Sequence, residues 1–444
     1  MLINIIRKSF IPVVLLSLLF TNPNNAQEKR HLTLEESLKI GLENSKTLHS
    51  SKMKIISADA QLSLANAGGL PSLALGANYT RLSNVEPYTI TIPEFGTYTL
   101  SPTVLDNYTA KLSLQQPLFT GFKISSNSEI AKNNSLAAKQ DYSKDEQDVI
   151  YNIKNAYWNL FLAGKLKEAI DENVQQMKVH LDDIQNFFKQ GLATKNEVLK
   201  VEVQLSEAQL SQIDARNSVK IATVNFDNVI NISLATEIEI QEDAEVENEN
   251  IEDIDQLIDK AMKNRPDLKS LQYRLNASKN GITLAQSGWF PQVVLGGEYD
   301  YEKPNSRILP LENKFIGTWA VDIGLTYTLW DWGTTKAQTI QAESQYEQTK
   351  DNYSTLKDAV TLDVTQTYYN LVKAKEKILV TQQTVSQAEE NYRVTDERFK
   401  QGLTLNSELL DAEVALVQAK TNYAQSIVDY ELAKALIERS TGGK

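Results

Sequence analysis

Apolar positions recur along this chain with two distinct periods. Val149, Ile153, Ala156, Leu160, Ala163, Ile170, Val174, Met177, Leu181, Ile184 and Phe188 follow one another in steps of three and four, with one step of seven. That spacing is the seven-residue seam of one helix lying along another. Elsewhere the period is two. Leu73, Leu75, Ala77 and Tyr79 alternate with Ala74, Gly76, Asn78 and Thr80, and Trp319, Val321, Ile323 and Leu325 alternate with Ala320, Asp322, Gly324 and Thr326. Such alternation gives a strand one apolar and one polar face. The pattern predicts helices over 34–67, 122–190, 195–230, 254–288, 334–401 and 405–440, and strands over 72–82, 108–119, 292–302 and 317–330.

The elements come in two copies. Residues 188–192 and 399–403 both read Phe-Lys-Gln-Gly-Leu, 211 residues apart. At that offset Tyr157, Asn159, Leu160 and Ala163 recur as Tyr368, Asn370, Leu371 and Ala374. Glu197, Leu199, Glu202, Val203 and Leu205 recur as Glu408, Leu410, Glu413, Val414 and Leu416. Each copy joins a long helix to a shorter one through a glycine, Gly191 or Gly402. There a helix C-cap needs the left-handed conformation that glycine adopts without strain. The repeats span 27–236 and 253–444, joined by an acidic linker, 237–252. The predicted helices 122–190 and 334–401 would each be about 100 Å long at about 1.5 Å per residue, and the others roughly half that. Two shorter helices end to end match one long helix, so the simplest packing is a rod with strands at one end and both glycine turns at the other.

Composition narrows the reading. Residues 1–26 have the form of a cleaved export signal: Arg7 and Lys8 lead an apolar run from Ile11 to Phe20, ending near Ala26. The run is shorter than the roughly 20 apolar residues of a membrane anchor. The chain has no cysteine, which excludes disulfides and thiol chemistry. A formal net charge of −12 makes nucleic acid a poor partner, and three histidines without ligand spacing offer no metal site. Ten acids from Glu237 to Asp255 read as a solvated linker, or as a collar that contacts another protein.

Four amphipathic strands cannot close a membrane barrel alone, because an open edge in lipid leaves backbone groups unpaired at several kcal/mol each. Two chains would supply about eight strands, whose interior side chains fill, so a duct needs more. Tyrosines and tryptophans crowd the strand ends, as they do at membrane interfaces. A soluble, secreted coiled-coil protein with a small sandwich is the alternative. An enzyme finds no concave site in such a rod, a porin does not need the helices, and a soluble adaptor usually has a single hairpin.

In this order and spacing the chain resembles the TolC-like outer-membrane efflux proteins. The resemblance rests on Leu-Thr-Leu-Glu-Glu36, Asn-Arg-Pro-Asp-Leu268, Leu-Phe-Thr-Gly121, Leu-Trp-Asp-Trp-Gly333 and the paired Phe-Lys-Gln-Gly-Leu turns, and it covers almost the whole chain after the signal. It implies a mainly α fold with a β-barrel portion. Two tandem α-β-β-α-α repeats would give four membrane strands per protomer and a long coiled-coil-like periplasmic α-barrel, closed only as a homotrimer. It implies an outer-membrane duct reaching into the periplasm, served by a periplasmic adaptor and an inner-membrane RND, ABC or MFS pump. No reaction and no cofactor are implied.

The resemblance also assigns sites. The turns, with Phe188, Gly191, Leu192, Phe399, Gly402 and Leu403, would be adaptor-docking tips. Glu408 and Asp411 would form an acidic ring at the periplasmic gate. Both could instead be first-turn acids favoured by the helix dipole, and Glu197 reads better as the capping-box partner of Thr194. The family's closing tyrosine and arginine correspond here to Phe399 and Thr404, which cannot make those bonds. The sequence stops soon after the last helix, so an extended C-terminal equatorial segment is not expected.

Overall fold

The computed structural model describes residues 30–101, 103–240 and 251–443; the expected signal 1–26 and residues 241–250 of the linker lie outside the described residues. The first half runs β1 (Arg30–Leu32), α1 (Leu34–Asn44), α2 (Lys46–Ala67), β2 (Ser72–Arg81), β3 (Tyr88–Ile92), β4 (Gly96–Ser101), β5 (Asp106–Phe119), α3 (Lys123–Lys189) and α4 (Lys195–Val229). The second runs β6 (Ile238–Ile240), α5 (Ile254–Asn264), α6 (Pro266–Gln286), a 3-10 turn Ser287–Trp289, β7 (Gln292–Lys303), β8 (Ile316–Thr326), α7 (Thr334–Lys400) and α8 (Asn406–Ser440).

One antiparallel sheet has the order β2-β5-β7-β8. Its register puts Leu75, Leu112, Tyr299 and Trp319 in one cross-strand row, and Leu73 beside Leu114. These side chains are exposed, as are Val321, Ile323 and Leu325 on the same face of β8. The opposite face carries Lys111, Ser113, Glu298, Asp300 and Asp322, with Lys111 Nζ 2.5 Å from Glu298. An apolar face open over its whole extent marks a surface that meets lipid or protein.

Each strand is continuous with one column of helix. α3 and α7 have 67 residues each, and α4 and α8 have 35 each. α2 packs beside the strand-proximal part of α3, where Ser135 donates to Asp59 and Ser128 to Asn66. α4 takes over the distal part, where Ala208 meets Val174 and Met177. α6 and α8 share the next column in the same way, between α3 and α7. Arg274 reaches Asp141 on α3 at 2.5 Å, and Arg265 reaches Asp363 on α7 at 2.6 Å. The columns therefore stand in the same order as the strands: α2/α4, α3, α6/α8, α7.

The largest core lies midway along the rod, where Tyr157, Trp158 and Phe161 of α3 pack on Phe226 and Ile230 around Leu32. Full burial of side chains this size contributes about 1.5–3 kcal/mol each. Here the structure departs from the expected linker, since Ile238–Ile240 pairs in parallel with Arg30–Leu32. Ile238 and Ile240 pack against this core. Their alternation with Glu237 and Glu239 is a strand signal that the acid count hides.

The expected continuous helices 34–67 and 254–288 are each broken. Ser45 ends α1 and caps α2 by accepting from the Leu48 N–H at 3.2 Å. Pro266 opens α6 at its first turn. A proline there suits the helix it starts but holds the preceding residue extended, which ends α5. The expected strand 317–330 ends at Thr326, because Thr326 already faces Gln292, the first residue of β7. Beyond that point there is no ladder for Tyr327 to Trp330 to join. The long loop of the first repeat contains a hairpin, β3–β4, that periodicity did not signal.

Candidate functional site

The two glycine turns lie together at the end of the rod away from the sheet. Both have the same closure. Leu192 N–H donates to Phe187 carbonyl at 2.9 Å and Gly191 N–H to Phe188 carbonyl at 3.0 Å. Leu403 N–H donates to Arg398 carbonyl at 2.9 Å and Gly402 N–H to Phe399 carbonyl at 2.8 Å. This paired 6→1 and 5→2 pattern needs a left-handed residue after the cap. Gly191 and Gly402 supply it, at φ of 76° and 71°.

The tip residues divide into two kinds. Phe188, Leu192 and Leu403 are exposed, and so are both glycines. Phe399 is only 4% exposed. Its ring lies 5.5 Å from Phe187 and 5.0 Å from His180, and it packs with Ile184, Val198, Val201 and Leu409. Phe399 thus binds the two hairpins together from inside.

The acids after the turns also differ. Thr194 and Glu197 form a full capping box: Glu197 Oε2 accepts from Thr194 N–H at 2.6 Å, and Glu197 N–H donates to Thr194 Oγ1 at 3.3 Å. The Thr194 backbone N–H and then its hydroxyl hold the Glu197 carboxyl below its ordinary range. In the second repeat the cap position is Leu405, whose side chain caps nothing. Thr404, one residue earlier, donates its hydroxyl to Glu408. Glu408 and Asp411 are exposed, three apart on α8.

Sequence reasoning missed a buried polar group beside the tip. His180 of α3 contacts Glu413 Oε2 through Nδ1 at 3.2 Å and Asn406 Oδ1 through Nε2 at 2.7 Å. Tyr392 lines the same hollow, and burial, with Asp396, Glu413 and Asp183 nearby, pushes its phenol up to about 12. The signal was present: a step of three from Met177 lands on His180, whereas the step of four to Leu181 kept the seam apolar. Among the described residues, no three His, Asp or Glu side chains are placed to share a metal ion.

The profile of a protein family described as outer membrane efflux protein matches residues 38–231 and 257–443. The toxin and drug export protein A of Aggregatibacter actinomycetemcomitans is 22% identical over 397 residues, covering 86% of this chain and 82% of that one. The alkaline protease secretion protein AprF of Pseudomonas aeruginosa is 25% identical over 342 residues, 76% of this chain and 70% of that one. In fold, the crystal structure of the outer membrane protein VceC of Vibrio cholerae is similar, with a TM-score of 0.76 over 92% of this chain and 96% of that one, at 18% identity.

Proposed function

This chain belongs to the outer membrane efflux protein family, and from that premise we propose that three copies close into one exit duct. The observation that carries the direction of closure is the matched order of open edges. β2 and β8 are the unpaired edges of the sheet. The α2/α4 column and the α7 column are the corresponding edges of the helical wall. Leu199, Val203, Leu210, Ile213, Ile221 and Val224 on α4 are exposed in steps fitting a further seam, with no helix among the described residues covering them. One head-to-tail contact, repeated around an axis, joins β8 to the next β2 and α7 to the next α2/α4 together. Three copies give about twelve strands, enough to leave a lumen where about eight would be filled by side chains.

The duct then runs from the outer membrane, through the barrel, into a periplasmic helical tunnel. Its polar inner face, with Lys111, Glu298, Asp300 and Asp322, passes solutes without changing them. The exposed apolar tips Phe188, Leu192 and Leu403, shaped by Gly191 and Gly402, are the surface for a periplasmic adaptor, and Phe399 supports them from beneath. An inner-membrane pump of RND, ABC or MFS type supplies the energy. The relatives' names span toxin and drug export and alkaline protease secretion.

Glu408 and Asp411 are the acids we assign to the periplasmic gate. Three copies of the pair around one axis hold like charges close, which attracts cations as acidic rings do in cation channels. Trimers in planar bilayers are expected to be cation-selective and blocked from the tip side by divalent cations. The double substitution Glu408→Gln, Asp411→Asn should weaken the block and lower selectivity at unchanged trimer yield, while Glu197→Gln should alter neither. Wild-type block in the double variant would leave both acids as helix-end charges.

A further inference from the structure

His180, Asn406 and Glu413 are 3%, 4% and 1% exposed, yet all three are polar. Glu413 Oε1 and Asn406 Nδ2 have no partner, although they are shut from solvent. A hollow of about 130 Å³ beside them is lined by Gln175, Gln176, Tyr392, Asp396 and Lys400. The contact crosses between hairpins: His180 is on α3 of the first, Asn406 and Glu413 on α8 of the second. The positions 211 residues away hold Asn391, Lys195 and Glu202, so the second repeat offers no copy of it.

The geometry of α8 gives this contact a consequence. Asn406 and Glu413 are seven residues apart, about two turns at about 100° per residue, so they share one face. Glu408 and Asp411 are displaced from that face by about 200° and 140° and stand on the opposite side. Their exposure agrees with this placement. Holding Asn406 and Glu413 against α3 therefore sets the rotation of α8 about its own axis.

We propose that His180 is a positioning residue for the tip, clamping α8 so that Glu408 and Asp411 point away from α3 and towards the axis of the trimer. This role rests on the reading of those acids as a ring. The two ring nitrogens meet two polar side chains of α8, the Glu413 carboxylate and the Asn406 amide, so one imidazole holds the helix at two points about two turns apart. The other titratable groups gathered here are Asp183 on α3, Tyr392, Asp396 and Lys400 on α7, and Glu413 on α8. Of these, Lys400 is tied to Asp396 at 2.8 Å.

The cysteine-free chain allows a direct test. Asp411→Cys is introduced into the full-length protein, and inter-protomer disulfides in purified trimers are measured on non-reducing gels. The same is done with His180→Phe added, which keeps a ring but no donors, and with Asn406→Ala added as a milder break. Yields are compared at equal pH, so the thiol's own titration cancels. The clamp should raise crosslinking about tenfold over His180→Phe, the scale of losing a hydrogen bond to a charged group, and Asn406→Ala should lower it in the same direction. Equal yields with and without His180 overturn the proposal while leaving the acidic ring standing. A loss in His180→Phe that Asn406→Ala does not share makes His180 a packing residue only and also overturns it. Trimers that never crosslink from position 411, with Asn406→Ala as with His180, remove the ring itself and with it the clamp's purpose.

Discussion

Asp227 is fully buried near the end of α4, and neither of its carboxylate oxygens has a hydrogen-bond partner. Burial pushes its carboxyl from 3.8 up to about 6. A raised acid favours folding fully below its unfolded value, and that contribution disappears as pH rises through the folded value. At neutral pH the folded chain therefore carries a desolvated charge between the apolar neighbours Phe226 and Ile230. Asp227→Asn should stabilise the protein by about 2 kcal/mol near pH 7.5 and by almost nothing near pH 4. Thermal unfolding at the two pH values measures the difference; an equal effect at both would mean that charge is not the cause. Glu197 has the opposite sign. Its lowered carboxyl supports α4 above the ordinary carboxylate range and loses that support as pH falls through the folded value.

At the scale of elements, the glycine turns are the most exacting parts. Nothing lies within 4 Å of a Cβ built on Gly191 or Gly402, so space is available, but the positive φ remains. Valine there is strained by its branched Cβ rather than by a clash. Gly191→Val or Gly402→Val should distort one tip and reduce adaptor-dependent export several-fold, while heat-stable trimer on gels stays near wild type. Normal export in both variants would separate the tips from docking. Loss of trimer would give the glycines a purely structural role.

At the scale of the whole molecule, the exposed seam of α4 is a test of assembly. Leu210 and Ile213 project from it, both more than half exposed in the single chain. Leu210→Glu with Ile213→Glu would place charge in a dry seam, which is strongly unfavourable. The wild type is expected to give a heat-modifiable trimer in the outer-membrane fraction and the variant a monomer, with helix content unchanged by circular dichroism. Trimer at wild-type yield would place the seam outside the interface.

The sequence by itself determined the elements that depend on local periodicity. The seven-residue seam located α3 within one residue at each end, alternation located the four long strands, and two copies of Phe-Lys-Gln-Gly-Leu located both turns and their left-handed glycines. The Thr194–Glu197 capping box was legible for the same reason, since a cap bonds only to its own first turn. What the tertiary structure alone decided concerns partners distant in sequence. β8 stops at Thr326 because β7 begins at Gln292, which no window around Thr326 contains. Ile238–Ile240 is a strand because Arg30–Leu32 lies beside it, more than two hundred residues away. Phe399 is interior although its repeat counterpart Phe188 is exposed, because only Phe399 faces His180 and the other hairpin. His180 itself gave no local sign of its partners: Asn406 and Glu413 lie 226 and 233 residues further on. Local periodicity reports which face of a helix is buried, whereas the identity of what buries it is set by packing between helices.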